Sequence, residues 1–248
     1  MNLKTNNIYN KIIKQEGQIA ILVDPDKFDA ASAPDFIKKV EAANIDYLFI
    51  GGSTVDKETF DTVLVEIKKL TNLPVICFPG DVYQYSEKAD ALLYLSLLSG
   101  RNPDYLIGNH LRTSVQIFNS DIETIPTAYL LIDGDNHSAV SYVSQTMPIP
   151  SDQLQLTMQT AIAGVLQGKK IVYLDAGSGA KTTVPSLMVN SLRKKNIPVI
   201  VGGGIQTIEK IEEFKDSGAN LIVIGNHIEE NIDFLLDIKN YQEKQQLH

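Results

Sequence analysis

The sequence has no tryptophan, a single cysteine and no long apolar run. The lone Cys77 can form no internal disulfide, which fits a reducing compartment. Its position inside the apolar run VICF predicts a buried structural thiol rather than a nucleophile. No stretch approaches the roughly 18 apolar residues of a membrane span, and the N-terminus lacks the apolar core of a signal peptide. We therefore expect a cytoplasmic protein without a transmembrane segment.

Positive charge is also scarce. The chain has 22 Lys and Arg residues against 30 Asp and Glu residues, which gives a formal net charge of -8. Proteins that bind a nucleic-acid backbone usually display clustered basic residues, and no such run occurs in this sequence. Nucleic acid is therefore excluded as an expected partner. The hydrophobic fraction of 44% is ordinary for a folded domain.

Eight short apolar runs alternate with segments of helical periodicity. They lie at residues 18–24, 47–52, 74–78, 91–96, 127–133, 170–176, 198–203 and 220–225. Continuously apolar runs are typical of parallel strands that are covered on both faces. A chain of 248 residues is also close to the roughly 250 of one (β/α)8 barrel. The pattern predicts an α/β fold, a single-domain (β/α)8 TIM barrel over residues 1–248, with an open doubly wound sheet as the alternative.

Helical periodicity fills the segments between the strands. A short N-terminal helix is predicted at about residues 5–15. In the segment 207–218, Thr207 can cap the first turn and Gly218 stands just past the last one. A last helix is predicted over residues 228–244.

The ends of the last three strands are rich in glycine. DAGSGA (175–180) follows the sixth strand, GGGI (202–205) the seventh and GN (225–226) the eighth. In (β/α)8 barrels the active site is built from the loops at these strand ends, and phosphate sites commonly follow strands seven and eight. Because glycine has no Cβ atom, backbone N–H groups can approach an anion closely. The pattern predicts a phosphate site, although any single glycine pair could simply form a tight turn.

Hard oxygen donors stand at the other side of the predicted barrel mouth. Asp24 ends the first strand in LVDPDK, and Ser53 follows the second strand. A carboxylate, a hydroxyl and a substrate diphosphate suit Mg²⁺, which takes few protein ligands and keeps several waters. A helix-capping role for Asp24 is the alternative, and Lys27 can pair with a phosphate or with Asp26.

Several stretches of the chain follow one another as they do in a known family. They are ILVDPDK, FIGGST, LLYLSLLSGRNPDYLIGNH, SAVSYVSQTMPIP, YLDAGSGA, VGGGI and VIGN, and they run from residue 21 to residue 226. In these motifs the chain resembles the geranylgeranylglyceryl phosphate synthase family, which includes the heptaprenylglyceryl phosphate synthases. The resemblance implies a Mg²⁺-dependent prenyltransferase of phospholipid biosynthesis. Such an enzyme transfers a geranylgeranyl or similar polyprenyl group from its diphosphate to the 3-hydroxyl of sn-glycerol 1-phosphate. The resemblance also implies a homo-oligomer, a dimer or a hexamer.

The resemblance further implies which residues form the site. The sn-glycerol 1-phosphate would be bound by Tyr173, Leu174, Asp175, Ala176, Gly177, Ser178, Gly179, Gly203, Gly204, Gly225 and Asn226. Mg²⁺ would be bound by Asp24 and Ser53, and Asp175 would take the proton of the attacking hydroxyl. Candidates for the prenyl groove are Tyr94, Leu95, Leu97, Leu98 and Tyr105. Many relatives have glutamate at the position of Asp175, and heptaprenyl-type relatives have lysine at that of Leu22, so the motifs resemble the geranylgeranyl enzymes more closely.

Two other functions are compatible with a phosphate site in such a barrel. A sugar-phosphate isomerase or epimerase needs an acid/base pair at the strand ends, and the expected lysine or histidine is lacking there. A non-catalytic phosphate-binding barrel would leave the strand-end carboxylates Asp24 and Asp175 without a metal or a proton-transfer role.

Overall fold

The computed structural model describes residues 7–246 and forms a closed barrel of parallel strands in chain order. The strands are β1 (Gln18–Val23), β2 (Tyr47–Ile50), β3 (Val75–Cys77), β4 (Ala91–Leu97), β5 (Glu123–Leu131), β6 (Ile171–Asp175), β7 (Val199–Gly202) and β8 (Leu221–Ile224). Strand β8 pairs with β1 and closes the barrel. The predicted (β/α)8 barrel is therefore confirmed, and the open sheet is excluded.

Helices surround the barrel. They are α1 (Asn7–Lys14), α2 (Ala33–Ala42), α3 (Lys57–Leu70), α4 (Asn109–Asn119), α5 (Ala139–Ser144), α6 (Leu154–Leu166), α7 (Ser186–Arg193), α8 (Ile208–Asp216), α9 (Asn226–Glu230) and α10 (Phe234–Gln246). The caps predicted for α8 are confirmed, because the Thr207 side chain accepts from the Lys210 N–H and Gly218 adopts φ +87°. Residues 5 and 6 of the predicted N-terminal helix lie outside the described residues.

The predicted single helix over residues 228–244 is wrong. The chain forms two helices instead, α9 and α10, with a break at residues 231–233. Asn231 ends α9 with non-helical backbone angles, φ −142° and ψ 85°, and its side chain accepts a hydrogen bond from the Asp233 N–H at 3.2 Å. Asparagine competes in this way with helical hydrogen bonding, which explains the break.

The third strand is not followed by a helix, contrary to the expectation that a helix fills every gap. Residues 78–90 form turns and loops that connect β3 directly to β4. Gln84 is fully buried in this segment, and its amide bonds to the backbone of Gly52, Val55 and Gly80. A buried glutamine thus fixes the loop after β2, while a loop takes the place of the helix that connects β3 to β4 in a typical βα unit.

Two apolar cores follow from the alternation of side chains along each strand. One fills the barrel interior, and the other lies between the strands and the helices. Ile8 and Ile12 of α1 pack into the interior core, so α1 closes the end of the barrel opposite the strand-end loops. The buried Cys77 belongs to the outer core, as predicted for a structural thiol, and burial raises its pKa to about 12.

We expect the buried carboxylate of Glu123 to hold α1 in place. Its two oxygens accept from the backbone N–H groups of Ile8 and Tyr9, each at 2.8 Å. Glu123→Gln should lower the free energy of unfolding by about 1.5–3 kcal/mol, because the amide NH₂ would face a backbone donor. Thermal and urea unfolding measure the loss. Glu243→Gln, which removes an exposed charge paired at 3.8 Å with Lys239, should change stability far less.

Candidate active site

A cavity of about 390 Å³ opens at the barrel mouth, where the strand-end loops meet. Its wall includes all but two of the predicted site residues: Asp24, Ser53, Tyr173, Asp175, Gly177, Ser178, Gly179, Gly203, Gly204, Gly225 and Asn226. The volume lies within the range of roughly 300–1,000 Å³ typical of small-molecule sites. The barrel therefore brings together residues as far apart in the chain as Asp24 and Asn226.

Leu174 and Ala176 are the two exceptions. Both are buried in the outer core, between the strands and the helices. Side chains alternate along a strand, so Tyr173 and Asp175 face the barrel interior while Leu174 faces away from it. Contacts of Leu174 and Ala176 with a ligand are thus limited to their backbone atoms.

The glycine-rich loops form a tight cradle. Gly177, Gly179, Gly203 and Gly204 all have positive φ, between +71° and +86°. A Cβ atom on Gly203 would lie 2.7 Å from the backbone nitrogens of both Ala176 and Gly177, so the loops after β6 and β7 touch through their backbones. This close approach requires glycine at position 203 and brings the loops after β6 and β7 together at one side of the cavity. The N–H groups of Ala176 and Gly177 already donate to the Gly202 carbonyl and to Asp175, so an anion would be bound by other backbone N–H groups of these loops.

A side-chain hydrogen bond joins the loops after β6 and β8. The Ser178 hydroxyl donates to the Asn226 side-chain oxygen at 2.8 Å. Asn226 begins α9 directly after Gly225, so this bond connects the cradle to the third glycine-bearing loop. The three predicted phosphate loops therefore form one continuous rim.

Asp175 lies at the floor of the cavity with a hydrogen-bond donor on each oxygen. Tyr129 donates its hydroxyl to Oδ2 at 2.6 Å, and the Gly177 N–H donates to Oδ1 at 2.8 Å. Burial raises the pKa of Asp175, and the two hydrogen bonds oppose that rise without cancelling it. A buried carboxylate in a cleft, with its pKa raised, has the properties of a proton acceptor.

Aromatic rings surround this carboxylate. The Phe78 ring stacks on Tyr173 with centroids 5.2 Å apart, and Tyr129 meets both rings edge to face at 5.9 and 5.4 Å. Burial and the Asp175 charge raise the pKa of both tyrosines well above its ordinary value, so they remain protonated. The rings exclude water and make the floor of the cavity a low-dielectric environment.

Asp24 lies at the opposite side of the mouth, half-buried at the end of β1. Its Oδ1 accepts from the Asp26 N–H at 3.2 Å and lies 2.6 Å from the position that a Cβ on Gly52 would occupy. Lys27 pairs with Glu229 at 2.9 Å and with Asp24 at 3.5 Å rather than with Asp26, the partner considered from the sequence.

An apolar arm of the cavity extends along the side where the helix after β3 is absent. Of the groove candidates, Tyr94, Leu95, Leu97 and Tyr105 line the cavity, together with Leu92 and Ile117. Leu98 does not line it, because it packs against the outer core beside Gly164. A five-residue π-helical turn, Asp104–Gly108, leads into α4 and forms one wall of this arm through Tyr105.

Sequence reasoning did not find Tyr129, Phe78 or His110, all of which line the cavity. The Nε2–H of His110 donates to the Leu95 carbonyl oxygen at 2.6 Å, because a carbonyl oxygen only accepts. For Tyr129 the one available signal in the sequence was its interior-facing position on β5, in register with Tyr173 and therefore two residues before the level of Asp175.

No helix within residues 7–246 combines the length and apolar character needed to cross a bilayer.

Comparison with known proteins identifies the family. The PcrB family model matches residues 10–242. The chain is 42% identical over 238 residues to a geranylgeranylglyceryl phosphate synthase of Chitinophaga pinensis, covering 94% of each chain. It is 44% identical over 228 residues to that of Zunongwangia profunda, covering 92% of this chain and 94% of the relative.

Solved structures agree with these sequence matches. One is the crystal structure of (S)-3-O-geranylgeranylglyceryl phosphate synthase from Thermoplasma acidophilum in complex with its substrate sn-glycerol-1-phosphate. It matches with a TM-score of 0.86 and 30% sequence identity over 96% of both chains. The chain therefore belongs to the PcrB family, the family of the geranylgeranylglyceryl phosphate synthases that its strand-end motifs predict.

Proposed function

We propose that this protein transfers a geranylgeranyl or similar polyprenyl group from its diphosphate to the 3-hydroxyl of sn-glycerol 1-phosphate. One observation carries the proposal: the buried carboxylate of Asp175 lies in a single cavity that has a glycine cradle on one side and an apolar arm on the other. An anion site and an apolar groove in the same cavity suit one phosphorylated acceptor and one long hydrocarbon donor. The relatives named geranylgeranylglyceryl phosphate synthase support the same reaction.

The acceptor would be oriented by its phosphate. Backbone N–H groups around Gly179, Gly203 and Gly204 would bind the phosphate oxygens, and the Ser178–Asn226 pair would close the rim over them. Anchoring the phosphate there directs the glycerol hydroxyls toward the floor of the cavity and Asp175. Alignment of the hydroxyl with the reacting carbon is a positioning effect, which can account for a large part of such a rate enhancement.

Asp175 would accept the proton of the attacking hydroxyl. In the transfer, the glycerol oxygen bonds to the allylic carbon while the bond between that carbon and the diphosphate oxygen breaks. The hydroxyl proton goes to Oδ1 or Oδ2 of Asp175, and the diphosphate leaves with the bonding electron pair. Since the hydroxyl becomes acidic as the new carbon–oxygen bond forms, a carboxylate with a raised pKa suffices as the base.

We also propose that Asp24 and Ser53 hold a Mg²⁺ ion together with the donor diphosphate. Both are hard oxygen donors that face the cavity from neighbouring strand ends, across from the glycine cradle. Within residues 7–246, no set of three or more His, Cys, Asp or Glu side chains could hold a metal. A donor set of one carboxylate and one hydroxyl fits Mg²⁺, which commonly takes one or two carboxylates plus substrate phosphates. When bound, the ion would neutralise charge on the leaving diphosphate.

We propose in addition that the protein works in the cytoplasm as a homo-oligomer, a dimer or a hexamer. The single buried thiol supports a reducing compartment. The helix α4 and the turn before it expose Ile107, Leu111, Val115 and Phe118, each at least 63% exposed and spaced three or four residues apart. Apolar residues grouped on one helix face in this way support a protein interface.

An activity assay tests the proposed reaction directly. The purified protein would be incubated with radiolabelled sn-glycerol 1-phosphate, Mg²⁺ and prenyl diphosphates of several chain lengths, and lipid-soluble product would be extracted. We expect an ether product with sn-glycerol 1-phosphate and far less with the sn-glycerol 3-phosphate enantiomer. Binding of glycerol phosphate without any product at every chain length would contradict the proposal and favour a non-catalytic phosphate-binding barrel.

The glycine cradle gives a second prediction. Gly203→Ala should raise the KM for glycerol phosphate about 10- to 100-fold, because the new Cβ would lie 2.7 Å from two backbone nitrogens of the cradle. The KM for the prenyl diphosphate should change little. Because the same Cβ would lie 2.7 Å from Asp175 Oδ1, we expect kcat to fall as well.

Gly179→Ala is the matched control for this prediction. Gly179 has a similar φ of +71°, but the nearest atom to a new Cβ is the Asn136 Nδ2 at 3.9 Å. The control therefore carries the backbone strain without the crowding, and steady-state kinetics should show a much smaller rise in KM. Equal effects of the two substitutions, or equal effects on both substrates, would contradict separate acceptor and donor subsites.

A further inference from the structure

The Asp175 carboxylate is held by one contact from its own loop and one from a neighbouring strand. The Gly177 N–H, two residues ahead, donates to Oδ1. The Tyr129 hydroxyl, from β5, donates to Oδ2 across a separation of 46 residues. Two donors on two different oxygens fix the rotation of the carboxylate about its Cβ–Cγ bond. Tyr129 therefore sets which oxygen lone pairs of Asp175 remain free to face the cavity.

We infer that Tyr129 is a positioning residue, which orients Asp175 and favours its ionised form in the buried floor of the site. The inference rests on the proposed function of Asp175 as the base. Tyr129 would not touch the reacting atoms, and its effect would pass through the carboxylate alone.

Few groups near Asp175 other than Tyr129 can stabilise its charge. The titratable groups that face the carboxylate are Tyr129 from β5 and Tyr173 from β6, and β7 contributes only the backbone of Gly203. Among the described residues, no lysine, arginine or histidine contributes to the pKa of Asp175. Burial raises that pKa, and the Tyr129 hydrogen bond is the larger of the two interactions that lower it. Without a cation nearby, neutral donors must stabilise the charge.

A purely structural role does not explain the hydroxyl. The ring of Tyr129 packs on Phe78 and Tyr173, and a phenylalanine would make the same ring contacts. A buried hydroxyl needs a partner, and this one bonds to a carboxylate that is itself costly to bury. Because the pKa of Tyr129 is raised well above its ordinary value, the hydroxyl keeps its proton and donates throughout the working pH range.

Tyr129→Phe tests the inference, with kcat/KM measured against pH. Loss of a hydrogen bond to a charged group should raise the pKa of the free base, so the acid limb of the profile should move up by about one to two pH units. Activity should fall about 10- to 100-fold below the shifted limb and recover toward wild type above it. Tyr47→Phe is the control: it removes a buried hydroxyl that belongs to the same interior core, donates to the Gln18 side chain at 2.8 Å and lies outside the cavity wall, so it should leave the limb unshifted. A Tyr129→Phe profile that superposes on wild type, or that is lowered equally at every pH, would overturn the inference.

A second measurement does not depend on turnover. Protein labelled with ¹³C at the aspartate carboxyl carbons gives a signal for Asp175, assigned by its loss in Asp175→Asn, and its titration gives the carboxyl pKa. We expect this pKa to rise in Tyr129→Phe by the same amount as the kinetic limb. An unmoved carboxyl pKa, or a moved pKa with an unmoved limb, would contradict the positioning role. Full activity of Asp175→Asn would overturn the base assignment instead, and the titration keeps that result separate.

Discussion

Asp24→Asn is expected to lower kcat by about 10²-fold or more while the protein stays folded. The substitution keeps the size of the side chain and removes the charge that the proposed Mg²⁺ site requires. Charge stabilisation by a metal at a leaving group corresponds to several kcal/mol, and each 1.4 kcal/mol is about tenfold in rate. Titration of Mg²⁺ against initial rate should show that the residual activity has lost its saturable dependence on the metal.

Asp29→Asn is the control for the Asp24 substitution. Asp29 lies in the same loop after β1 and caps a short turn by accepting from the Ala31 N–H at 3.0 Å. Asparagine caps equally well, so the variant loses the same charge in the same loop without losing the cap. We expect wild-type Mg²⁺ dependence for it. If Asp24→Asn kept that dependence too, the metal assignment would be wrong.

The strands and the glycine loops could be predicted because their signals are local. Continuous apolar runs predict the eight strands. The GGGI motif predicts the glycine loop after β7, in which Gly203 and Gly204 have positive φ. The start of the fifth strand was placed too late, at residue 127 instead of Glu123. β5 pairs with β4 from Glu123 and with β6 only from Thr127, so Pro126 is tolerated where the strand has one partner.

The missing helix after β3 and the break before α10 depend on residues that a search for apolar periodicity passes over. Pro79 and Gly80 come one residue after the end of β3 and disfavour a helix there. Gln84 bonds to the backbone of Gly52 in the loop after β2 and of Gly80 in its own loop, and these contacts depend on tertiary structure. A glutamine in a polar-looking loop gives no sign that it will be fully buried.

The hydrogen bond between Tyr129 and Asp175 could not be predicted from the sequence, because it too depends on tertiary structure. The two residues lie on adjacent strands, and Tyr129 is in register with Tyr173 rather than with Asp175. Their contact requires both the register of β5 against β6 and the length of a tyrosine side chain, which reaches one interior row up the barrel. A sequence motif identifies Asp175 as a strand-end residue, but only the packing of β5 against β6 in the barrel determines that Tyr129 bonds to it.

Asp175→Asn is expected to lower kcat by about 10²- to 10⁴-fold, with glycerol phosphate still bound. General base catalysis contributes about this factor, or roughly 3–5 kcal/mol of transition-state stabilisation. Asparagine keeps the shape and can still accept from the Gly177 N–H, so the phosphate loops should stay in place. Single-turnover kinetics and calorimetric binding of glycerol phosphate separate the two effects. A loss below tenfold would show that Asp175 only orients the substrate.

The same substitution should stabilise the protein at neutral and alkaline pH. Burial raises the folded-state pKa of Asp175 above the ordinary carboxyl value, so the folded state binds more protons than the unfolded state between the two values. Stability therefore falls as pH rises through that interval, and the deficit is complete above the folded-state pKa. Removing the charge should raise the unfolding free energy at pH 8 by on the order of 1 kcal/mol, or roughly 2–4 °C in Tm. The gain should shrink as the pH approaches the ordinary carboxyl pKa. A lower Tm at pH 8 would mean that the carboxylate supports the fold, and the loss of kcat could then no longer be attributed to the base alone.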